Sequence, residues 1–250
     1  MNGIIINNAL TDLGKLFYFC GRNFIELEKS IFEIEALPEA LADSFSNNPI
    51  TDEELNVLLQ KVTINFLNYL ETAHSFGDRV MEIAKTWDGT KEFQKLEYFE
   101  KTKKRDDFSD VLMVAEKLRN LLHHNCNTNK IIYYAGVVRS GVKGIGAVNL
   151  GSVYIDQKEI LDHPNYLEKC KNVDKKTLHT RTQNFFNQMP KNEKREAFFL
   201  RGKLHLEKNP GCHTHKGVRL HSFVDNHFDT LRSFWEEINI TIKDELKKNR

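Results

Sequence analysis

Residues 51–87, TDEELNVLLQKVTINFLNYLETAHSFGDRVMEIAKTW, decide the architecture. Leu55, Leu59, Val62, Phe66, Tyr69, Ala73, Phe76, Val80, Ala84 and Trp87 recur every three or four residues, the period of one helix face. Thr51-Asp52-Glu53-Glu54 has the form of a capping box, and Asp88-Gly89 supplies a glycine stop. The pattern predicts one helix from Thr51 to about Trp87, far longer than an ordinary globular helix. A helix of that length with one apolar stripe must lay the stripe against other helices.

Three further stripes supply them. Leu10, Leu13, Phe17, Cys20, Phe24, Leu27, Ile31 and Ile34 predict a helix from about Ala9 to Leu37, with Pro38 just beyond. Phe108, Val111, Leu112, Ala115, Leu118 and Leu122 predict a third, stopping in the Asn-rich run from Asn125 to Asn129. Phe223, His227, Leu231, Phe234, Ile238, Ile242 and Leu246 predict a last one, with Ser222 to Asp225 as its capping segment and Lys247, Lys248 and Arg250 at the end the dipole favours for cations. Between the third and last helices the character changes. Ile131 to Tyr134, Val137-Val138, Ala147-Val148 and Val153 to Ile155 read as strand, and Gly141, Gly144, Gly146 and Gly151 read as turns. Val173 to Phe186 reads as a short helix, while Ala197 to Leu206 leaves helix and strand equally open. The expectation is a mainly α, single-domain chain over residues 1–250. Its helical body spans 9–128 and 218–250, and a mixed α/β elaboration covers 129–217.

Composition narrows the function classes. Of 250 residues, 40% are hydrophobic and 28% charged, with net charge +1, so a nucleic-acid surface must be a local patch. No apolar run is long enough to span a bilayer, and Met1 to Leu10 lacks the features of a signal peptide. Cys20, Cys126, Cys170 and Cys212 are scattered and read as free thiols of a reducing compartment, which points to the cytoplasm.

The third helix carries the residue that asks for chemistry. Counting about 100° per residue places Arg119 on the arc of Phe108, Leu112, Ala115 and Leu122. A guanidinium there needs an anionic partner, a solvent-lined cleft, or both. The local string Leu118-Arg119-Asn120-Leu121-Leu122-His123-His124 places a His four residues beyond an Arg-Asn pair. This resembles the signature of the HEPN superfamily, helical bundles found in toxin, abortive-infection and CRISPR-associated nucleases. The matching residues are Arg119, Asn120 and His124; the resemblance covers 105–128 closely, and elsewhere only the order of long helices agrees.

The resemblance implies a HEPN-like bundle and metal-independent RNA cleavage, with no metal or cofactor. Arg119 and His124 would be catalytic, with Asn120 orienting. It also implies a homodimer with a composite site, a toxin or phage-defence role, and an antitoxin or activator that restrains it. One tension is geometric: positions 119 and 124 lie roughly 140° apart on a straight helix, whereas His123 lies beside Arg119. Either the helix ends or distorts before His124, or two chains contribute. His123 therefore stays a secondary candidate. In a competing reading Arg119 simply pairs with a carboxylate such as Glu71 or Glu26, and in another the chain is a non-catalytic HEPN module that binds RNA, nucleotide or a partner protein.

Other signals read more plainly. Lys101, Lys103, Lys104 and Arg105 are candidate RNA-backbone contacts, against the commoner reading of a solvated charged face. Lys191 to Arg195, with Arg201 and Lys203, read the same way. His205, Cys212, His213 and His215 match no strong zinc spacing and read as a polar loop. Gly141 to Gly146 lacks the Gly-Lys-Ser/Thr of a P-loop and reads as a hairpin turn. His227 reads as a core histidine with a hydrogen bond.

Overall fold

The computed structural model describes residues 3–35, 52–86, 110–124, 131–139, 148–163, 175–189 and 217–248. Helix α1 spans Gly3–Glu35, α2 Asp52–Thr86 and α3 Asp110–His124. Strands β1 (Ile132–Arg139) and β2 (Val148–Asp156) follow, then α4 (Gln157–Leu161) and α5 (Lys175–Gln188). Strand β3 (Gly217–Arg219) leads directly into α6 (Leu220–Lys248). The chain is mainly helical with a small antiparallel sheet.

Helices α1 and α2 form an antiparallel hairpin. The cross-links at its rim descend one helix as they climb the other: Lys61 Nζ donates to Glu33 at 2.6 Å, Asn65 to the Glu26 carbonyl at 3.3 Å, Asn23 to the Asn68 carbonyl at 3.3 Å, and Arg79 to Asp12 at 3.4 Å. Between them the predicted stripes meet. Leu13, Cys20, Leu27, Ile31 and Ile34 of α1 are buried against Leu59, Val62, Phe66, Tyr69 and Phe76 of α2. Helix α6 closes the core along an aromatic seam, where Phe228 stacks on Phe24 at 4.3 Å between centroids and Trp235 stacks on Phe17 at 5.7 Å. Helix α3 packs on α2 and α6, completing a four-helix body.

The sheet order is β1-β2-β3, antiparallel throughout, with Ile132 opposite Ile155 and Val218 opposite that same Ile155. Ile155 and Val153 are fully buried, and β2 packs against α1 and α6. The Val153 amide donates to Glu35 at the last turn of α1 (3.3 Å), which fixes the sheet at that end of the bundle. Gly217 sits where an added Cβ would strike the Tyr133 hydroxyl and lie 3.1 Å from the Ile155 carbonyl, so this crossing takes glycine. Asp156 ends β2 and caps α4, its carboxylate accepting from the amides of Lys158 and Glu159. Arg181 of α5 grips Asp110, the first residue of α3, at 2.7 and 2.9 Å, tying the elaboration back to the bundle.

The structure differs from the sequence reading in three places. Helix α1 begins at Gly3, two turns before Ala9. Ser222 lies inside α6 and not at its start: the helix begins at Leu220, because β3 hands a fully buried Leu220 straight into the first turn. The buried face of α3 is also rotated. Val114 and Leu121, left out of the predicted stripe, are buried at 0% and 2% exposure and pull its centre away from Arg119. Thr51, Pro38, Phe108, Gly141 to Gly146 and Ala197 to Leu206 lie outside the described residues. No helix among the described residues is long and apolar enough to cross a membrane.

Phe66 is fully buried, whereas Ile64, two residues before it, is 59% exposed. Phe66→Ala should cost about 3–5 kcal/mol in denaturant unfolding and Ile64→Ala within about 0.5 kcal/mol. Equal losses at the two positions would refute the helix orientation.

Candidate functional site

Helix α3 runs antiparallel to α2, and along their seam both helices present polar side chains. On α2 these are Glu71 and His74; on α3 they are Glu116 and Arg119. Arg119 is the best defined of them. Its Nε donates to Glu71 Oε1 at 3.0 Å, and the side chain is 19% exposed against 38% for Glu71. Arg119 therefore sits at the rim of the apolar face, not at its centre, for the reason given by Val114 and Leu121. The pair is open enough to water that its worth to folding is about 0–1 kcal/mol.

The bond to Glu71 is made by Nε. Among the described residues the two terminal nitrogens of Arg119 have no hydrogen-bond partner. That is the part of a guanidinium that forks onto two phosphate oxygens. The carboxylate on the Nε side holds the side chain in place without occupying the fork. Glu71, not Glu26, is the partner; Glu26 pairs with Lys29 at 2.8 Å.

The histidines separate. His123 is exposed and stands one turn beyond Arg119 on the same side of α3. The helix stays regular through His124, so it does not end before that residue and bring His124 round to Arg119. Asn120 is partly exposed, one position round the helix from Arg119. The side chain of His124, and Lys101, Lys103, Lys104 and Arg105, lie outside the described residues, as do Cys126, His205, Cys212, His213 and His215.

One turn from Arg119, the seam deepens into a pocket between α2, α3 and α6. Its walls include Leu70, Ala73, Leu112 and Ala115, its rim holds His74 and Glu116, and His227 lines it from α6. His74 pairs with Asp78 at 3.1 Å. His227 is 3% exposed, and its Nδ1 lies 2.7 Å from the Tyr69 hydroxyl, which is itself fully buried. The core-histidine reading of His227 therefore holds. Burial alone pushes its imidazole down to about 3, so the ring is neutral at any physiological pH. Burial likewise drives the Tyr69 phenol well upward, keeping its proton. Sequence reasoning missed this pocket because its polar atoms come from helices far apart in the chain, joined by no short motif.

Glu28, His221 and Asp225 are ligand-type side chains close enough to share an ion, with candidate atoms within 4.8 Å of one another. His221 already faces Asp225 through Nδ1 at 3.1 Å and Glu28 through Nε2 at 3.4 Å. It thus bridges the two carboxylates and clamps the first turn of α6 to α1. Glu35 lies near this corner, raised above the usual carboxylate range by burial and steadied by the Val153 amide.

Comparison of the chain with protein-family models, with curated proteins and with solved structures gave no match. The chemistry of the seam therefore rests on its own residues.

The His227 imidazole sets an acid limit. The unfolded chain takes up its proton near the ordinary value of 6.5, and the folded chain holds off until about 3. Its contribution to stability is complete above 6.5 and is lost as pH falls towards 3. Between about pH 6 and the folded value of about 3, wild-type unfolding should take up about one proton more than the Tyr69→Phe/His227→Phe variant, a factor of about ten in the unfolding constant per pH unit. Parallel acid limbs for the two proteins would refute the neutral buried ring.

Proposed function

We propose that the chain is a metal-independent endoribonuclease of HEPN type, with Arg119 as the group that grips the scissile phosphate. The observation that carries this reading is the Nε bond to Glu71, which orients the guanidinium and leaves its terminal nitrogens to an anion. In the reaction the 2′-oxygen of the RNA attacks the adjacent phosphorus, forming one P–O bond while the P–O5′ bond breaks. One proton leaves the 2′-hydroxyl and one reaches the 5′-oxygen. The products are a 2′,3′-cyclic phosphate and a 5′-hydroxyl. An imidazole suits both transfers because its ordinary pKa lies near neutrality. The Arg fork suits the charge that builds on the phosphorane oxygens.

Within one chain the imidazole best placed for this work is His123, exposed and one turn from Arg119. His124, the residue that fits the HEPN spacing, serves in this reading across a homodimer, where the motif of each chain faces the other. Asn120 then orients a histidine or a backbone group. A toxin or phage-defence role, and an antitoxin or activator that restrains it, belong to the same proposal. Lys101, Lys103, Lys104 and Arg105 are its candidate backbone contacts.

The Glu71 bond also favours a second reading, in which Arg119 is a structural ion pair and the chain is a non-catalytic binding module. The two readings part on stability and activity. The purified protein, with Arg119→Ala, His123→Ala and His124→Ala variants, is incubated with total cellular RNA in EDTA, and thermal unfolding is measured alongside. Catalysis predicts that Arg119→Ala lowers cleavage by a factor of about 100 or more while stability falls by less than about 1 kcal/mol. The histidine whose loss has the same effect is the working one. Cleavage that survives in all three variants would sink the assignment, and absence of cleavage in the wild type would favour the binding module.

A further inference from the structure

The pocket below Arg119 contains a donor with no partner among the described residues. Tyr69 and His227 are both neutral and share one hydrogen bond, Tyr69 Oη to His227 Nδ1. Two tautomers satisfy that contact. If Nδ1 carried the proton, the Tyr69 hydroxyl hydrogen and the Nε2 lone pair would both be buried without a partner among the described residues. If Tyr69 donates to Nδ1, one group remains over: Nε2–H. The second arrangement wastes less, so the imidazole presents Nε2–H as a donor. Tyr69 takes the Nδ1 edge and the Phe223 ring lies parallel to the imidazole, so the edge left to the pocket is that of Nε2.

The surroundings define what would answer it. The pocket holds about 50 Å³, room for about four waters or for one edge of a small heteroaromatic ring. Its walls are apolar: Leu70, Ala73, Leu112 and Ala115. At the rim Glu116 offers a carboxylate acceptor. A ligand that fits is flat and small, carries an acceptor for the deep N–H, and carries a donor for the rim carboxylate. Pyrimidine bases have that pattern on one edge, and a purine presents a larger ring system to the same space.

We infer that this pocket receives a pyrimidine base of the RNA beside the phosphate held by Arg119, and so gives the site its base preference. The inference rests on the ribonuclease reading for its substrate class, and the placement supports it: Ala115 and Glu116 stand one helical turn before Arg119, and Leu70 and Ala73 flank Glu71. A nucleotide whose phosphate meets Arg119 has its base within reach of that turn. A neutral donor discriminates by hydrogen bonding without attracting anions, which leaves phosphate selection to Arg119.

Nucleosides test this separately from cleavage, because they carry no phosphate. Uridine, cytidine, adenosine and guanosine are titrated into the full chain and followed by protein NMR, with Ala115→Met to fill the pocket and Glu116→Gln to neutralise its rim. The wild type should bind a pyrimidine nucleoside at least about tenfold more tightly than either purine, with shifts centred on residues of the pocket. Ala115→Met should abolish binding, and Glu116→Gln, a near-isosteric change at a half-buried position outside the core, should weaken it about fivefold or more. No binding up to about 10 mM, equal binding of purines, or undiminished binding in both variants would overturn the inference. Pyrimidine binding by a chain that cuts no RNA would uphold the pocket and remove the ribonuclease reading instead.

Discussion

The structure depends on closing α6 over a hairpin made much earlier in the chain. Helices α1 and α2 can meet as soon as both exist, but their shared stripe is wide, and one side of it stays wet until α6 arrives. The seam that closes it is aromatic: Phe17, Phe24 and Phe76 on the hairpin against Phe228 and Trp235 on α6. Large rings bury much area for few frozen torsions. The polar contact set within that seam, Tyr69 to His227 across 158 residues, fixes its register. A slide of α6 by one turn would strand a hydroxyl and an imidazole in the core.

This closure also creates the pocket. Three helices that meet around small residues, Ala73 and Gly77 on α2 and Ala115 on α3, leave space that larger side chains would have filled. Arg119 stands beside that space because the buried face of α3 is set by Val111, Val114, Leu118 and Leu121. The guanidinium reaches the rim, finds Glu71, and remains wet on its other side. The Glu71-bonded guanidinium and the apolar recess beside it thus come from one packing arrangement of three helices.

The fold was largely legible. Each long helix announced itself through an apolar period that only burial against other helices explains, and α2 runs from Asp52 to Thr86 as the stripe predicts. The strands of the elaboration were marked by β-branched runs between glycines, and β1 and β2 do pair. What escaped was where neighbours decide. The start of α6 depends on β3, a three-residue strand without a period of its own. The rotation of α3 depends on Val114 and Leu121, which fit either edge of the stripe until α6 is in place. In the candidate site, Arg119 and one of its two proposed carboxylates were readable from sequence. The pocket was not, because Tyr69, Glu116 and His227 come together only in three dimensions.

The join between β3 and α6 has a mechanical consequence. No residue separates Arg219, the last of the strand, from Leu220, the first of the helix. A hinge needs slack, and there is none here. The sheet and α6 therefore act as one lever whose two arms are a ladder of backbone bonds and a 29-residue helix. With Glu35 holding the sheet to α1, and His221 clamped to Glu28 in the helix's first turn, the fulcrum is pinned on both sides. A displacement of β3 is therefore passed directly into the first turn of α6, two turns before His227.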